Sequence, residues 1–284
     1  MTTYDTPNPI DLDVTVGIGD IDITASDRPD TFVEVMPSRP NRSGDTSLAK
    51  EASVRFDGGR LVVFVPKRLT LFGPGDSVDV RVDMPTGSSA TVVSAYGGIR
   101  ARGTLGASDI TASYGRVIAE KTGQLRLATP YGEVEIGTVD GNLELTAGHG
   151  RHRIERVSGD THVRGSHGDI EFGELAGSVE VSTSGGVAID HGRGNLDIRT
   201  AHGAIRIGRA SGSSVRLENG HAEIEIGVPE GTAAWIDAAS RMGIVRNELT
   251  PDSSPDGAER TIELRLRNNS GDILIHRAQP SRVG

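Results

Sequence analysis

Seven residues that could take part in binding chemistry recur at a nearly constant spacing: Tyr96, Tyr114, Tyr131, His149, His167, His202 and His221, with Ser184 filling the remaining place in the series. Each directly precedes a small residue, which is Ala222 in the last case and glycine in the others. If successive repeats stack, these side chains form one column with neighbours about 5 Å apart, close enough for ring stacking. The preferred reading is a corner ladder that covers glycine backbone. A partner strip using the aromatic faces ranks second, and transition-metal binding by paired imidazoles third. Two histidines with no fixed carboxylate beside them make a weak metal site, so no metal ligand is assigned.

Acid/base chemistry has a different set of candidates. Glu133, Glu135, Glu144, Glu171, Glu180, Asp197, Glu223 and Glu225 fall at outward strand positions, together with Arg126, Arg153, Arg164, Arg199, Arg206 and Arg216. Paired carboxylates about 5 to 9 Å apart can hydrolyse glycosides, but a stacked repeat generates many such pairs by geometry alone. Mixed charge of this kind is ordinarily solvation and cross-strand pairing. The sequence has no Gly-Lys-Ser/Thr phosphate loop, no G-x-S-x-G elbow and no His-Glu-x-x-His motif. The expectation is a non-enzymatic protein with no catalytic residue and no cofactor.

The elements that would position these residues follow a nine-residue beat. From Gly97, glycines recur at 106, 115, 123, 132, 141, 150, 159, 168, 177, 185, 194, 203, 212 and 220, eight or nine apart. Apolar residues stand two and four places after most beats, as in Gly132-Glu133-Val134-Glu135-Ile136, and this period-two alternation predicts short strands. Alternate beats differ, so the larger unit is about 17 to 18 residues. An open antiparallel meander would leave one apolar face uncovered, whereas coiling two strands per turn sets two parallel sheets face to face. The predicted fold is therefore all-β, a parallel β-solenoid of two short strands per rung, with seven to eight rungs stacked about 4.8 Å apart over roughly 35 Å. Thirteen of fifteen first inward positions are aliphatic; His152 and Thr161 are the exceptions. A local register shift or partial opening is expected there, because unpaired buried polar groups cost about 1 to 3 kcal/mol.

Outside the regular repeats, residues 1–90 read as an N-terminal β cap with irregular first rungs, 91–228 as the repeats and 229–284 as a C-terminal β cap, all in one continuous domain. Ser38 to Lys50 is polar and reads as a loop. Pro66 to Asp76 is a second excursion whose Leu69, Leu71 and Phe72 either fold over the end of the rod or form a docking patch. Composition sets further limits. Thirty-eight glycines disfavour a helical class, and a net charge of −9 disfavours nucleic-acid binding. With no cysteine, disulfides and thiol nucleophiles are excluded. Met1 to Asp13 lacks the cationic and apolar pattern of a secretory signal, and no segment approaches the roughly eighteen apolar residues of a membrane span. A cytoplasmic location is expected.

Several motifs resemble those of the bacterial "putative adhesin" family of β-strand-repeat domains of unknown function. They are Gly19-Asp20-Ile21-Asp22-Ile23 with Ala25-Ser26-Asp27-Arg28-Pro29, the Met84-Pro85-Thr86-Gly87-Ser88 step, the Tyr/His-Gly-x-Val/Ile repeats, Val228-Pro229-Glu230-Gly231 and Ser270-Gly271-Asp272-Ile273. The resemblance spans nearly the whole chain and implies a repetitive β fold. Taken with the residues, it leads to the expectation of an adhesin-like scaffold or interaction protein that presents a repetitive surface to a protein partner or self-assembles. The alternatives are a surface or polysaccharide-binding adhesin and a carbohydrate-active β-helix enzyme.

Overall fold

A computed structural model describes residues 1–68, 75–249 and 260–279. The described chain is all-β apart from one short helix, and it forms two compact units, Met1–Gly141 and Asn142–Gly284. No helix among the described residues is long and apolar enough to cross a membrane. Leu69, Leu71 and Phe72 lie outside the described residues.

The first unit contains β1 (Thr2–Asp5), β2 (Asp11–Ile18), β3 (Ile21–Ser26), β4 (Asp30–Pro37), α1 (Ser43–Glu51), β5 (Ser53–Asp57), β6 (Arg60–Phe64), β7 (Val78–Pro85), β8 (Ser89–Tyr96), β9 (Ile99–Thr104), β10 (Ser108–Tyr114), β11 (Val117–Thr122), β12 (Leu125–Tyr131) and β13 (Val134–Val139). One sheet runs β1-β4-β7-β3-β9-β11-β13 and the other β12-β10-β8-β2-β6-β5. From β8 onward, consecutive strands alternate between the sheets, and each pairs in parallel with the strand two places along. Ile110 lies between Val92 and Leu127, and Val117 between Ile99 and Val134, so equivalent inward residues sit side by side. These positions are buried while their neighbours in sequence face outward, which is the alternation the sequence carries.

β2 and β3 lie between β8 and β9 on one side and β6 and β7 on the other, all paired in parallel, so chain order and stacking order differ between β3 and β8. The segment between β3 and β8, together with β1, adds the antiparallel pairs β1–β4, β4–β7 and β5–β6. It also holds α1, where the sequence predicts a loop. The helix has one apolar anchor, Leu48, and one polar anchor, Asp45, both buried. Asp45 accepts hydrogen bonds from Arg39 Nε at 2.8 Å and from the Ser77 amide at 3.1 Å. Burial pushes its carboxyl up, but Arg39, the Ser77 amide and Arg42 together outweigh burial and hold it below the ordinary carboxylate range. Asp45→Asn is expected to loosen α1 by about 1 to 2 kcal/mol, read as faster amide exchange in residues 43–51. A carboxyl lowered in the folded state loses its contribution as pH falls, so the difference between the two proteins should close below about pH 4.

The second unit contains β14 (Leu143–His149), β15 (Arg151–Val157), β16 (Thr161–Gly165), β17 (Asp169–Leu175), β18 (Val179–Thr183), β19 (Val187–Gly192), β20 (Leu196–Thr200), β21 (Ile205–Ala210), β22 (Ser214–Asn219), β23 (Ile224–Val228), β24 (Thr232–Met242), β25 (Val245–Asn247), β26 (Arg260–Ser270) and β27 (Ile273–Arg277). Its sheets run β15-β17-β19-β21-β23-β27-β25 and β14-β16-β18-β20-β22-β26-β24. The last strands are out of sequence order: β26 and β27 lie inside β24 and β25, which form the sheet edges.

His152 and Thr161 correct one expectation. Neither a register shift nor an opening occurs. His152 is fully buried in line with Ile170, and Thr161 is buried between Leu143 and Val179. The continuous register from Arg151↔Asp169 to Val157↔Leu175 holds the backbone in place, so the polar side chains are carried into the interior.

Candidate functional site

The tyrosines and His149 close strands, and His167, His202 and His221 lie two residues past strand ends, all next to the corners. Tyr96, Tyr114 and Tyr131 close β8, β10 and β12, and their aligned positions bring the rings together. Ring centroids are 4.8 Å apart for Tyr96–Tyr114 and 4.9 Å for Tyr114–Tyr131, with interplanar angles of 4° and 2°. In the second unit, His149 and His167 stack at 5.0 Å and 3°, and His202 and His221 at 5.3 Å and 14°. All seven are exposed.

This geometry limits the chemistry of the ladders. Tyr114 has both faces covered by tyrosine, and Ile18 is the in-register neighbour of Tyr96 on its other side. The tyrosines therefore present ring edges and hydroxyls outward, and the Tyr114 faces cannot serve as a stacking platform. The stacked imidazoles lie in nearly parallel planes about 5 Å apart, so their in-plane lone pairs run side by side and do not converge on one point about 2 Å from each. Among the described residues, no group of three or more His, Asp or Glu is placed to hold a metal ion.

The corners have a second ladder that the sequence reading did not identify. Side-chain oxygens of Asp20, Asp160, Asp169, Asn142 and Asn195 accept hydrogen bonds from the backbone amides of Gly98, Ser178, Gly186, Asp160 and Ser214 at 2.7 to 3.2 Å. Each satisfies an amide that the turn geometry leaves without a sheet partner. The recurring Asp or Asn beside a corner glycine was a readable signal of this role.

Outward carboxylates are engaged by arginines. Arg116 Nη2 reaches Glu135 at 2.6 Å, Arg100 Nη1 reaches Asp22 at 3.1 Å, Arg153 lies 3.8 Å from Glu171, and Arg206 pairs with Glu223. Exposed pairs of this type contribute little stability individually, but they neutralise the carboxylates. The carboxyls of Asp30 and Asp237, hydrogen-bonded to Arg28 and Arg267, are held below the usual range, whereas a general acid needs one raised.

A further surface lies at the edge strands of the second unit. Trp235, Met242, Ile244 and Val245 are 58%, 66%, 57% and 40% exposed, a series of apolar side chains spread along β24 and on to the start of β25. Beside Trp235, a recess of about 280 Å³ is lined by Arg216, Glu218, Asp237, Arg265 and Arg267. Among the described residues, no strand pairs with the outer edge of β24 or β25. The sequence reading assigned this segment to a closing cap and singled out none of these four side chains.

No family model and no curated protein matches the chain. Among solved structures, it is similar to a "putative cell adhesion protein" from Clostridium sporogenes, at 11% identity and a TM-score of 0.22, over 97% of this chain and 98% of that one. It is also similar to a "putative adhesin" from Bacteroides fragilis, at 11% identity and a TM-score of 0.38, over 97% and 95% of the two chains. Both are too distant for a function to be transferred from them.

Proposed function

We propose that this chain is a non-enzymatic, adhesin-like interaction protein, built in each unit as a two-strand-per-rung β-solenoid, whose edge strands β24 and β25 pair with a second copy of the chain or a strand of a protein partner. Strands that alternate between sheets and pair in parallel 17 to 19 residues apart support the solenoid reading. The engagement of outward carboxylates by arginine supports a binding role over acid/base catalysis.

The observation that carries the proposal is the edge. A strand end of a sheet exposes unpaired amides and carbonyls, and proteins that stay single usually protect it with short or charged strands. The edge strands of the first unit follow that pattern, since β1 is four residues long and β5 exposes Arg55 and Asp57. β24 is protected less: it also carries Asp237 and Arg241, but it is eleven residues long, exposes Trp235 and Met242 and leads directly to Ile244. Strand addition at such an edge gains backbone hydrogen bonds, and the apolar side chains add burial.

Sedimentation velocity on the full chain tests this. Concentration-dependent association is expected, weakened at least about tenfold in a Trp235→Lys/Ile244→Lys variant with unchanged circular dichroism. A monomer that binds polysaccharide on a glycan array would replace this reading with that of a surface adhesin. Polysaccharide turnover abolished by changing one Glu would replace it with that of a β-helix enzyme.

A further inference from the structure

A second recess in the Asn142–Gly284 unit, of about 550 Å³, has a cationic lining that includes His191, Arg193, Arg209, Ser211, Glu230 and Arg260. Its origin lies in one column of aligned residues. Arg156 sits beside Glu174, Glu174 beside His191, and His191 beside Arg209. Charge alternates for the first two members and then the alternation stops.

Glu174 is already shared between Arg156, at 3.3 Å, and Arg193. His191 Nε2 lies 2.9 Å from Ser211 Oγ. Arg209 follows with no carboxylate: its Nε is buried without a hydrogen-bond partner, and it forms no ion pair among the described residues. Arg260 likewise has no ion pair among them, and Glu230 is the one acid in the lining. An unpartnered buried guanidinium N–H is costly, and Arg209 lines the recess, so an oxyanion bound by its guanidinium would offset that cost.

We propose that this recess binds the phosphate group of a small phosphorylated molecule, with Arg209 as the main contact and Arg193, Arg260 and Ser211 as further donors. Three guanidiniums and a hydroxyl lining one recess offer more donors than a carboxylate's two oxygens can use, even with Arg193 also on Glu174, and suit a tetrahedral oxyanion. The volume exceeds that of one phosphate, leaving room for the group that carries it. His191 reports on occupancy: burial lowers its pKa, Arg193 and Arg209 lower it further, and only Glu174 opposes them. A dianion held beside these arginines would raise the His191 titration midpoint.

The test is calorimetric titration of the full chain with inorganic phosphate, sulfate, acetate and glucose 6-phosphate, together with NMR titration of the His191 ring. Saturable phosphate binding is expected, tighter for glucose 6-phosphate and weaker for acetate, with a rise in the His191 midpoint at saturation. Arg209→Gln should weaken binding about tenfold, and the exposed Arg260→Gln about threefold, while Arg100→Gln in the other unit should leave it unchanged. Three outcomes would overturn the proposal: no saturable binding of phosphate or glucose 6-phosphate by about 10 mM, tighter binding of sulfate than of phosphate, or equal losses in all three variants.

Discussion

Gly115→Ala is expected to destabilise the protein by about 3 kcal/mol or more, a large effect for adding one methyl group. Gly115 has φ of +144°, and a Cβ built there would lie 2.0 Å from the carbonyl oxygen of Gly97. The atom it meets is backbone, so no side-chain rotation relieves the clash. Gly97 is itself held against Gly19, and Gly132 against Gly115, by the same close approach. To admit a methyl group, the Gly115 corner would have to move outward by more than 1 Å, stretching the 3.0 Å hydrogen bond from the Gly97 amide to the Tyr114 carbonyl and unstacking Tyr114 from Tyr96. Gly58→Ala separates this close approach from backbone strain alone. Gly58 also has positive φ, at +56°, but its Cβ would meet nothing within 4 Å, so about 1 kcal/mol is expected. Urea or thermal unfolding of the two variants gives the comparison. Equal losses would mean that the stacked corners do not determine stability, and the ladder of tyrosines would lose its structural cause.

The same corners explain how far the sequence could be read. Glycine spacing marks them, and the aliphatic positions between them set which face is inward, so the parallel neighbours of Ile110, Val117, Ile170 and Val187 follow from periodicity alone. Tyrosine and histidine spacing likewise predicts the stacked pairs. Periodicity fails where the chain departs and returns. β3 and β9 pair across 78 residues, as the hydrogen bond from the Gly98 amide to Asp20 shows, and β26 inserts between β22 and β24. No local signal encodes such a return, because the strands on both sides have the same alternation. α1 was missed for another reason: one leucine gives no apolar stripe, and its polar anchor, Asp45, finds Arg39 and Ser77 only in the folded chain. The phosphate-binding candidate draws on strand ends at His191 and Arg209 and on Arg260, far apart in sequence. Its one readable clue was the break in charge alternation along Arg156, Glu174, His191 and Arg209.

His152 gives the opposite result, because replacing the native residue should stabilise the protein. His152→Ile is expected to add about 1 to 3 kcal/mol at neutral pH, since neither ring nitrogen has a hydrogen-bond partner among the described residues and the aligned neighbour is Ile170. The gain should grow in mild acid. Burial lowers the His152 pKa, so the folded protein keeps the ring neutral at a pH where the unfolded chain, with an ordinary midpoint near about 6.5, already binds a proton. When the unfolded state binds more protons, stability falls as pH falls. The His152 contribution is thus intact above about pH 6.5 and is lost progressively below it, down to the folded midpoint, at up to about 1.4 kcal/mol per pH unit. Isoleucine has no such loss, so the gap between variant and wild type should widen from pH 7 to pH 5. His191, whose pKa is also lowered, is present in both proteins and cancels from the difference. The side chain must fit beside Gly168, where a Cβ would lie 2.9 Å from His152 Nε2, which makes His152→Val the smaller companion variant. A gap that stays flat between pH 7 and pH 5 in both variants would show that His152 finds a hydrogen bond or a proton in the folded state, against its burial without a partner in line with Ile170.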